Sequence, residues 1–300
     1  MTLSLKDVGF AGLIGTPPVD PLFQADNYNY LKRYQTGFEG TGTADTWDMK
    51  FSTDGTIMIL VDASNINDYP NSLVAYTLST AWDIGTATFS KSKSLSANTT
   101  NPVGFAFKPD GLRLIVLATY PQPSFYEYTL STAWDIATLS AAVQSWDWTG
   151  IGTYNPLGLQ FNDDGSKLYS NFYANGDDGF ASWDLGPGDY TLNNIVLDKL
   201  TTITGCGNVQ GFVWTPDGTK LYLVHGGTGT WTYGAEQWNC STPWDQATAV
   251  DSGKEIHWGT ADPPRLFTPH SGVWDPSGDN FYIVNRGGFE GVAQFDYTAP

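Results

Sequence analysis

Three histidines, two cysteines and 31 acidic residues are the groups in this chain most able to do chemistry. His225, His257 and His270 lie too far apart for a helix- or hairpin-spaced zinc site, and the chain has no Gly-x-Ser-x-Gly elbow and no phosphate loop. Cys206 and Cys240 form neither a metal-spaced pair nor a disulfide framework. A carboxylate pair for glycoside hydrolysis is a spatial feature that leaves no local spacing, so the acids keep a hydrolase open without pointing to one. Asn175-Gly-Asp-Asp-Gly179 has the ligand types for Ca²⁺ but not the spacing of a calcium loop. No catalytic residue, metal or cofactor is assigned, with Ca²⁺ the weak candidate. The remaining candidates are aromatic and polar: Tyr69, Tyr120, Tyr173, His225, Trp231, Trp258, Arg286 and Phe289, with Arg265 and His270 beside them.

What positions these residues is a repeat. One turn recurs as Ser52-Thr-Asp-Gly55, Lys108-Pro-Asp-Gly111, Asn162-Asp-Asp-Gly165, Thr215-Pro-Asp-Gly218 and Asp275-Pro-Ser-Gly278, with its glycines 53 to 60 residues apart. Proline presets the first central φ of a turn, and Asp and Gly tolerate the left-handed backbone of its later positions. Short apolar strands flank each turn, such as Val103 to Phe107 and Leu112 to Leu117, and a third comes after a variable loop, as at Phe125 to Leu130. A second signature then appears: Ser79-Thr-Ala-Trp-Asp-Ile84, Ser131-Thr-Ala-Trp-Asp-Ile136 and Ser241-Thr-Pro-Trp-Asp245, with Ser182-Trp-Asp184 read as a degraded copy. A fourth, more polar strand ends each unit. Four strands at this period predict an all-β fold, a five-bladed β-propeller.

The fifth unit runs out after its third strand, Val292 to Tyr297, and Lys32 to Gly40 aligns with the fourth strand of unit one. The N-terminal strand therefore completes the last blade and removes an open sheet edge. This divides the chain into an extended arm, 1–28, and a propeller, 29–300. The arm mixes Gly and Pro with Phe10, Leu13, Ile14, Leu22 and Phe23, a composition suited to docking on another surface. Because the Trp-Asp signatures recur in register, Trp82, Trp134, Trp183 and Trp244 are expected to wedge between blades, and their aspartates to cap turns. The loops between second and third strands share one face with the inter-blade connections, and that variable face is the expected ligand surface.

A net charge of −17 disfavours nucleic acid and anionic lipid surfaces. No apolar run approaches the roughly 18–20 residues that span a bilayer, and the N-terminus does not read as a secretion signal.

The pairing of Phe-x-Pro-Asp-Gly with Tyr-Thr-Leu-Ser-Thr-Ala-Trp-Asp-Ile resembles propeller repeats of bacteriophage virion proteins over residues 30–300. The resemblance implies a non-enzymatic virion component, a capsid decoration or a tail or fibre receptor-binding head. Its arm would contact other virion proteins and its propeller a host glycan or protein. No heptad stalk accompanies it. Pro-Asp-Gly turns also occur in lactonase-like propellers, and the alternatives are a lactonase or glycoside hydrolase, or a surface lectin.

Overall fold

Short apolar runs cut by tight turns build antiparallel meanders, and here they build five, ordered β1-β21-β20-β19 in the last and sequentially in the others. The computed structural model describes residues 29–35, 45–63, 70–120, 122–148, 155–174, 177–203, 208–226, 234–257, 269–285 and 291–296. The N-terminal strand is β1 (Asn29–Gln35). Blade 1 comprises β2 (Thr46–Phe51), β3 (Ile57–Asp62), β4 (Ser72–Leu78) and β5 (Ala87–Ser94). Blade 2 comprises β6 (Pro102–Phe107), β7 (Arg113–Ala118), β8 (Ser124–Thr129) and β9 (Gln144–Asp147). In blade 3 the first strand is split into β10 (Asn155–Pro156) and β11 (Gln160–Phe161), succeeded by β12 (Lys167–Ala174), β13 (Asp177–Asp184) and β14 (Val196–Ile203). Blade 4 holds β15 (Val209–Trp214), β16 (Lys220–His225), β17 (Gly234–Cys240) and β18 (Ala249–His257). Blade 5 holds β19 (Pro269–Trp274), β20 (Asn280–Asn285) and β21 (Gly291–Asp296).

The inner strands touch in sequence around a central axis, first strand to first strand except that β12 meets β15 between blades 3 and 4, and β19 returns to β2. The ring closes as expected: β1 pairs antiparallel with β21, from Asn29 opposite Asp296 to Gln35 opposite Gly291. This is the chain's fivefold β-propeller. The arm, residues 1–28, lies outside the described residues.

Strand alternation sends successive side chains to opposite seams, so inner strands are apolar throughout rather than alternating. On β3, Met58 and Leu60 enter the seam between blades 5 and 1, while Ile59 and Val61 enter that between blades 1 and 2. Each of the five seams has one such cluster.

The repeated turns are structural. The turn glycines have φ between +68° and +74°, the left-handed region that glycine enters without strain. A Cβ on Gly55 would fall inside the Trp82 indole. Trp82, Trp134 and Trp244 are themselves left-handed, with φ of 60° to 63°. Each donates its backbone N–H to the turn glycine's carbonyl, for instance Trp82 to Gly55 at 3.0 Å. Their rings close the seam toward the preceding blade, and Tyr282 donates its hydroxyl to the Trp82 carbonyl, as Tyr169 does to that of Trp244. Asp83, Asp135 and Asp245 cap the 3-10 turns Ile84–Thr86, Ile136–Thr138 and Gln246–Thr248, each accepting a backbone N–H.

Blade 3 corrects one expectation. Ser182-Trp183-Asp184 is no turn: it lies in β13, with Trp183 opposite Leu168. The residue over Gly165 is Tyr190, with φ 49° and its N–H on the Gly165 carbonyl. Trp183 still wedges between blades, fully buried in the seam of blades 2 and 3, but from a strand.

Candidate functional site

The face that carries the variable loops is also the face from which the first strands start. Its channel mouth is therefore lined by the starts of first strands and the ends of second strands. The registers set these opposite one another: Thr46 and Asp62, Pro102 and Ala118, Asn155 and Tyr173, Val209 and His225, Pro269 and Asn285. In four blades the first strand carries an irregularity one residue in, leaving Trp47, Val103, Gln210 and His270 as the extra residue. A bulge of this kind re-aims the side chain it inserts. In blade 3 the Asn171 side chain bridges the break, accepting from Gly158 N at 2.8 Å and donating to the Val209 carbonyl at 3.0 Å.

Trp47 and His270 belong to adjoining blades and meet edge to face, ring centroids 4.3 Å apart. Trp47 also packs against the seams of blades 1 and 2 and of blades 2 and 3. Trp47, half-buried, and His270, 3% exposed, thus pack together at the channel mouth.

The one acid at the first-strand starts is consumed by the fold. Asp48 Oδ1 accepts from Met49 N at 2.7 Å, Lys50 Nζ at 2.6 Å and Ser271 Oγ at 2.6 Å, and Oδ2 accepts from Phe105 N at 3.0 Å. It is fully buried and ties blades 5, 1 and 2 together. This geometry gives it no role in catalysis.

The rim over blades 2 to 4 is built from uncharged polar and aromatic groups. The Asn101 side-chain amide donates to the Thr119 hydroxyl, and that of Gln210 to Asn208 Oδ1. Asn208 Nδ2 donates to the Gly226 carbonyl at 3.3 Å. Asn155 is exposed, and beside these amides stand Tyr120, 62% exposed, and Tyr173, 39% exposed.

Of the expected ligand-binding residues, Tyr120 is exposed just past β7, where the loop reading put it, whereas Tyr173 lies not in a loop but in β12, opposite Asn155. His225 is not an open loop side chain: it is 2% exposed, with Nε2 3.6 Å from Glu236 Oε1. Trp238 Nε1 donates to the other oxygen of Glu236 at 3.2 Å. Tyr69, Trp231, Trp258, Arg286 and Phe289, with Arg265, lie outside the described residues, as do the arm residues Phe10, Leu13, Ile14, Leu22 and Phe23. The acids of the expected acid-rich turn open β13 instead, and Asp178 Oδ2 accepts from Val209 N at 2.8 Å in the next blade. Among the described residues no group of three or more His, Cys, Asp or Glu is placed to hold a metal. Cys240 is buried, and that burial, with Asp245 nearby, pushes its thiol up to about 12; Cys206 lies outside the described residues. The rim amides carried a sequence signal that the search for acids passed over: Asn101, Asn155 and Asn208 recur just ahead of the first strand in three successive repeats.

No protein-family profile matches the chain, and no curated protein does. Similar solved structures include a Bacteroides fragilis protein provisionally named as a 6-phosphogluconolactonase, 16% identical, with 76% of this chain and 59% of that one covered and a TM-score of 0.47. Another is a Bacteroides uniformis protein of the same provisional name, 15% identical, covering 83% and 66%, TM-score 0.47. A third is hydrazine synthase from Kuenenia stuttgartiensis, 16% identical, covering 85% and 78%, TM-score 0.48. The chain spans under two thirds of the first two. None of the three is named for a virion, and two bear the name of the alternative hydrolase class. The expectation of a bacteriophage virion component is corrected accordingly, with likeness at this identity showing the fold alone, and the expected arm lies outside the described residues. Among the described residues no helix is long and apolar enough to cross a membrane.

Proposed function

We propose that the variable face binds a neutral sugar-type ring at the rim of the channel mouth. The supporting observation is the set of exposed Tyr120 and Tyr173 beside the side-chain amides of Asn101, Asn155, Asn208 and Gln210. Phenol faces take up the apolar side of a pyranose ring, and amides offer donor and acceptor together to its hydroxyls. Such groups recognise shape and hydrogen-bonding pattern without a ligand charge, as suits a chain with few cations. A panel of neutral mono- and oligosaccharides screened by saturation-transfer NMR tests this. Saturable binding is expected, weakened about tenfold in Tyr120→Ala or Tyr173→Ala, on the scale of a lost aromatic contact. Absence of binding by every sugar to the folded protein would overturn it.

A second reading, hydrolysis of a sugar lactone or glycoside at the same mouth, draws on His270, which meets Trp47 edge to face there. In the lactone case the imidazole takes a proton from water as the water oxygen bonds to the carbonyl carbon. The ring C–O bond then breaks, and the proton passes to the leaving oxygen. Acid release from a lactone panel including 6-phosphogluconolactone, monitored by pH-stat, is expected to be lost in His270→Gln while sugar binding persists. Binding without acid release in the parent protein rejects the hydrolase and leaves the sugar site standing.

A further inference from the structure

Neighbouring seams of this ring are filled by residues at matching positions, and one seam is under-filled. Between blades 2 and 3 the outer part of the seam holds three indoles. Trp148 and Trp146 lie with ring centroids 4.8 Å and 6.1 Å from Trp183, and Phe125 meets Trp183 edge to face at 4.9 Å. The registers identify the corresponding residues one blade earlier. Phe125 pairs with Trp146 as Leu73 pairs with Lys93. Trp148 N donates to the Pro123 carbonyl as Leu95 N donates to that of Asn71. Tyr128, opposite Leu114, stands where Trp183 stands opposite Leu168. A lysine, a leucine and a phenol thus replace three indoles.

The volume they leave is a cleft of about 340 Å³ between blades 1 and 2, lined by Lys93, Leu95, Asn98, Tyr128, Leu139 and Ser140 among others. That falls in the range of roughly 300–1,000 Å³ typical of small-molecule sites. Its walls are mainly apolar, a poor lodging for water, and its polar groups are few and placed. Tyr128 Oη donates to Asn98 Oδ1 at 3.3 Å. Burial, with Tyr126 nearby, raises the Tyr128 phenol well above its usual value, so it stays a donor. Lys93 differs from its neighbours. Lys50, Lys91, Lys108, Lys167 and Lys199 each have a carboxylate within 2.9 Å, whereas among the described residues Lys93 has none. In a chain of net charge −17 a lysine left without an acid at the lip of an apolar cleft is a local anion site.

We propose that the cleft between blades 1 and 2 binds a planar aromatic monocarboxylate. The ring occupies the space that indoles occupy one seam on, and the carboxylate pairs with Lys93 Nζ. One ammonium matches one negative charge, which favours a monocarboxylate over a phosphate dianion. The site is separate from the channel mouth and does not depend on the sugar reading.

The probe is indole-3-acetate, with indole as the neutral control, titrated into the full chain by calorimetry and by ligand-observed NMR. Saturable 1:1 binding of indole-3-acetate is expected, with contacts from its ring to the methyl groups of Leu95 and Leu139. Lys93→Met should weaken indole-3-acetate about tenfold and leave indole unchanged. Leu95→Trp restores an indole to the seam; it should abolish binding of both compounds and raise Tm. The Lys93→Met result and the methyl contacts decide the matter if Leu95→Trp does not fold. Failure of indole-3-acetate to bind at millimolar concentration, or binding that survives Leu95→Trp or is equal in Lys93→Met, overturns the proposal.

Discussion

At the scale of single residues, side chains that invite a chemical reading are held by structural partners. Asp48 is the clearest case: its two oxygens are saturated by donors from three blades, including Ser271 across the closure of the ring. Removing its charge strands the Lys50 ammonium beside it and turns an amide donor toward donors. Breaking a buried pair in this way costs about 3–5 kcal/mol. Asp48→Asn is therefore expected to lower Tm sharply in calorimetry while leaving sugar binding at the rim intact in whatever fraction stays folded. A Tm within a degree or two of the parent would show that the bridge contributes little. His225 and Cys240 fit the same pattern, polar or nucleophilic groups buried among strands rather than presented at a surface.

At the scale of elements, the recurring unit is a hairpin turn with a left-handed aromatic laid over its glycine. Its aspartates share one electrostatic state. Partial burial works against ionisation of Asp54, Asp110, Asp164 and Asp217, yet neighbouring donors hold each carboxyl below the usual carboxylate value. The donors are Ser52 and Thr56 for Asp54, Lys108 and Leu112 for Asp110, Ser166 and Asn162 for Asp164, and Thr215 and Thr219 for Asp217. Depressed folded-state values mean that this stability is present above the unfolded value of 3.8 and is lost as pH falls through the folded values. Tm measured by scanning fluorimetry should thus be insensitive to the turns between pH 7 and 5 and fall progressively below about pH 4. A Tm unchanged down to pH 2.5 would contradict this. Most of the unit is legible in the sequence because turn, capping aspartate and strand are all local. Blade 3 shows where that legibility ends. The Ser-Trp-Asp string at 182–184 reads as a degraded copy of the signature, but the fold selects whichever residue can sit left-handed over Gly165, and that is Tyr190.

At the scale of the whole molecule, the ring is sealed by one antiparallel pairing between β1 and β21. Without β1, the backbone of β21 becomes an open sheet edge, which templates pairing with other chains. A protein lacking residues 1–35 is expected to self-associate, seen as a shift to higher mass in light scattering. A synthetic peptide of residues 29–35 supplied in trans should reduce that shift. A monomeric truncated protein with unchanged Tm would show that closure by β1 is dispensable. The arm and several of the expected loop aromatics lie outside the described residues, so the candidate site comprises the channel-mouth rim with Trp47 and His270, and the cleft between blades 1 and 2 lies apart from it.

The sequence by itself determined the number of blades, the four-stranded meander, the strand that closes the ring and the structural work of the repeated aspartates. All of these stem from local chemistry repeated at a fixed period, and local chemistry is written in neighbouring residues. Only the tertiary structure decided which side chains meet. Ser271 reaches Asp48 across 223 positions, and Tyr282 reaches Trp82 across 200. It was also the fold that turned Asn101, Asn155 and Asn208 into one rim, although their recurrence was visible. The cleft between blades 1 and 2 was least legible of all. It comes from a difference between seams: Lys93 and Leu95 stand where Trp146 and Trp148 stand one blade on, and that equivalence exists only through strand register.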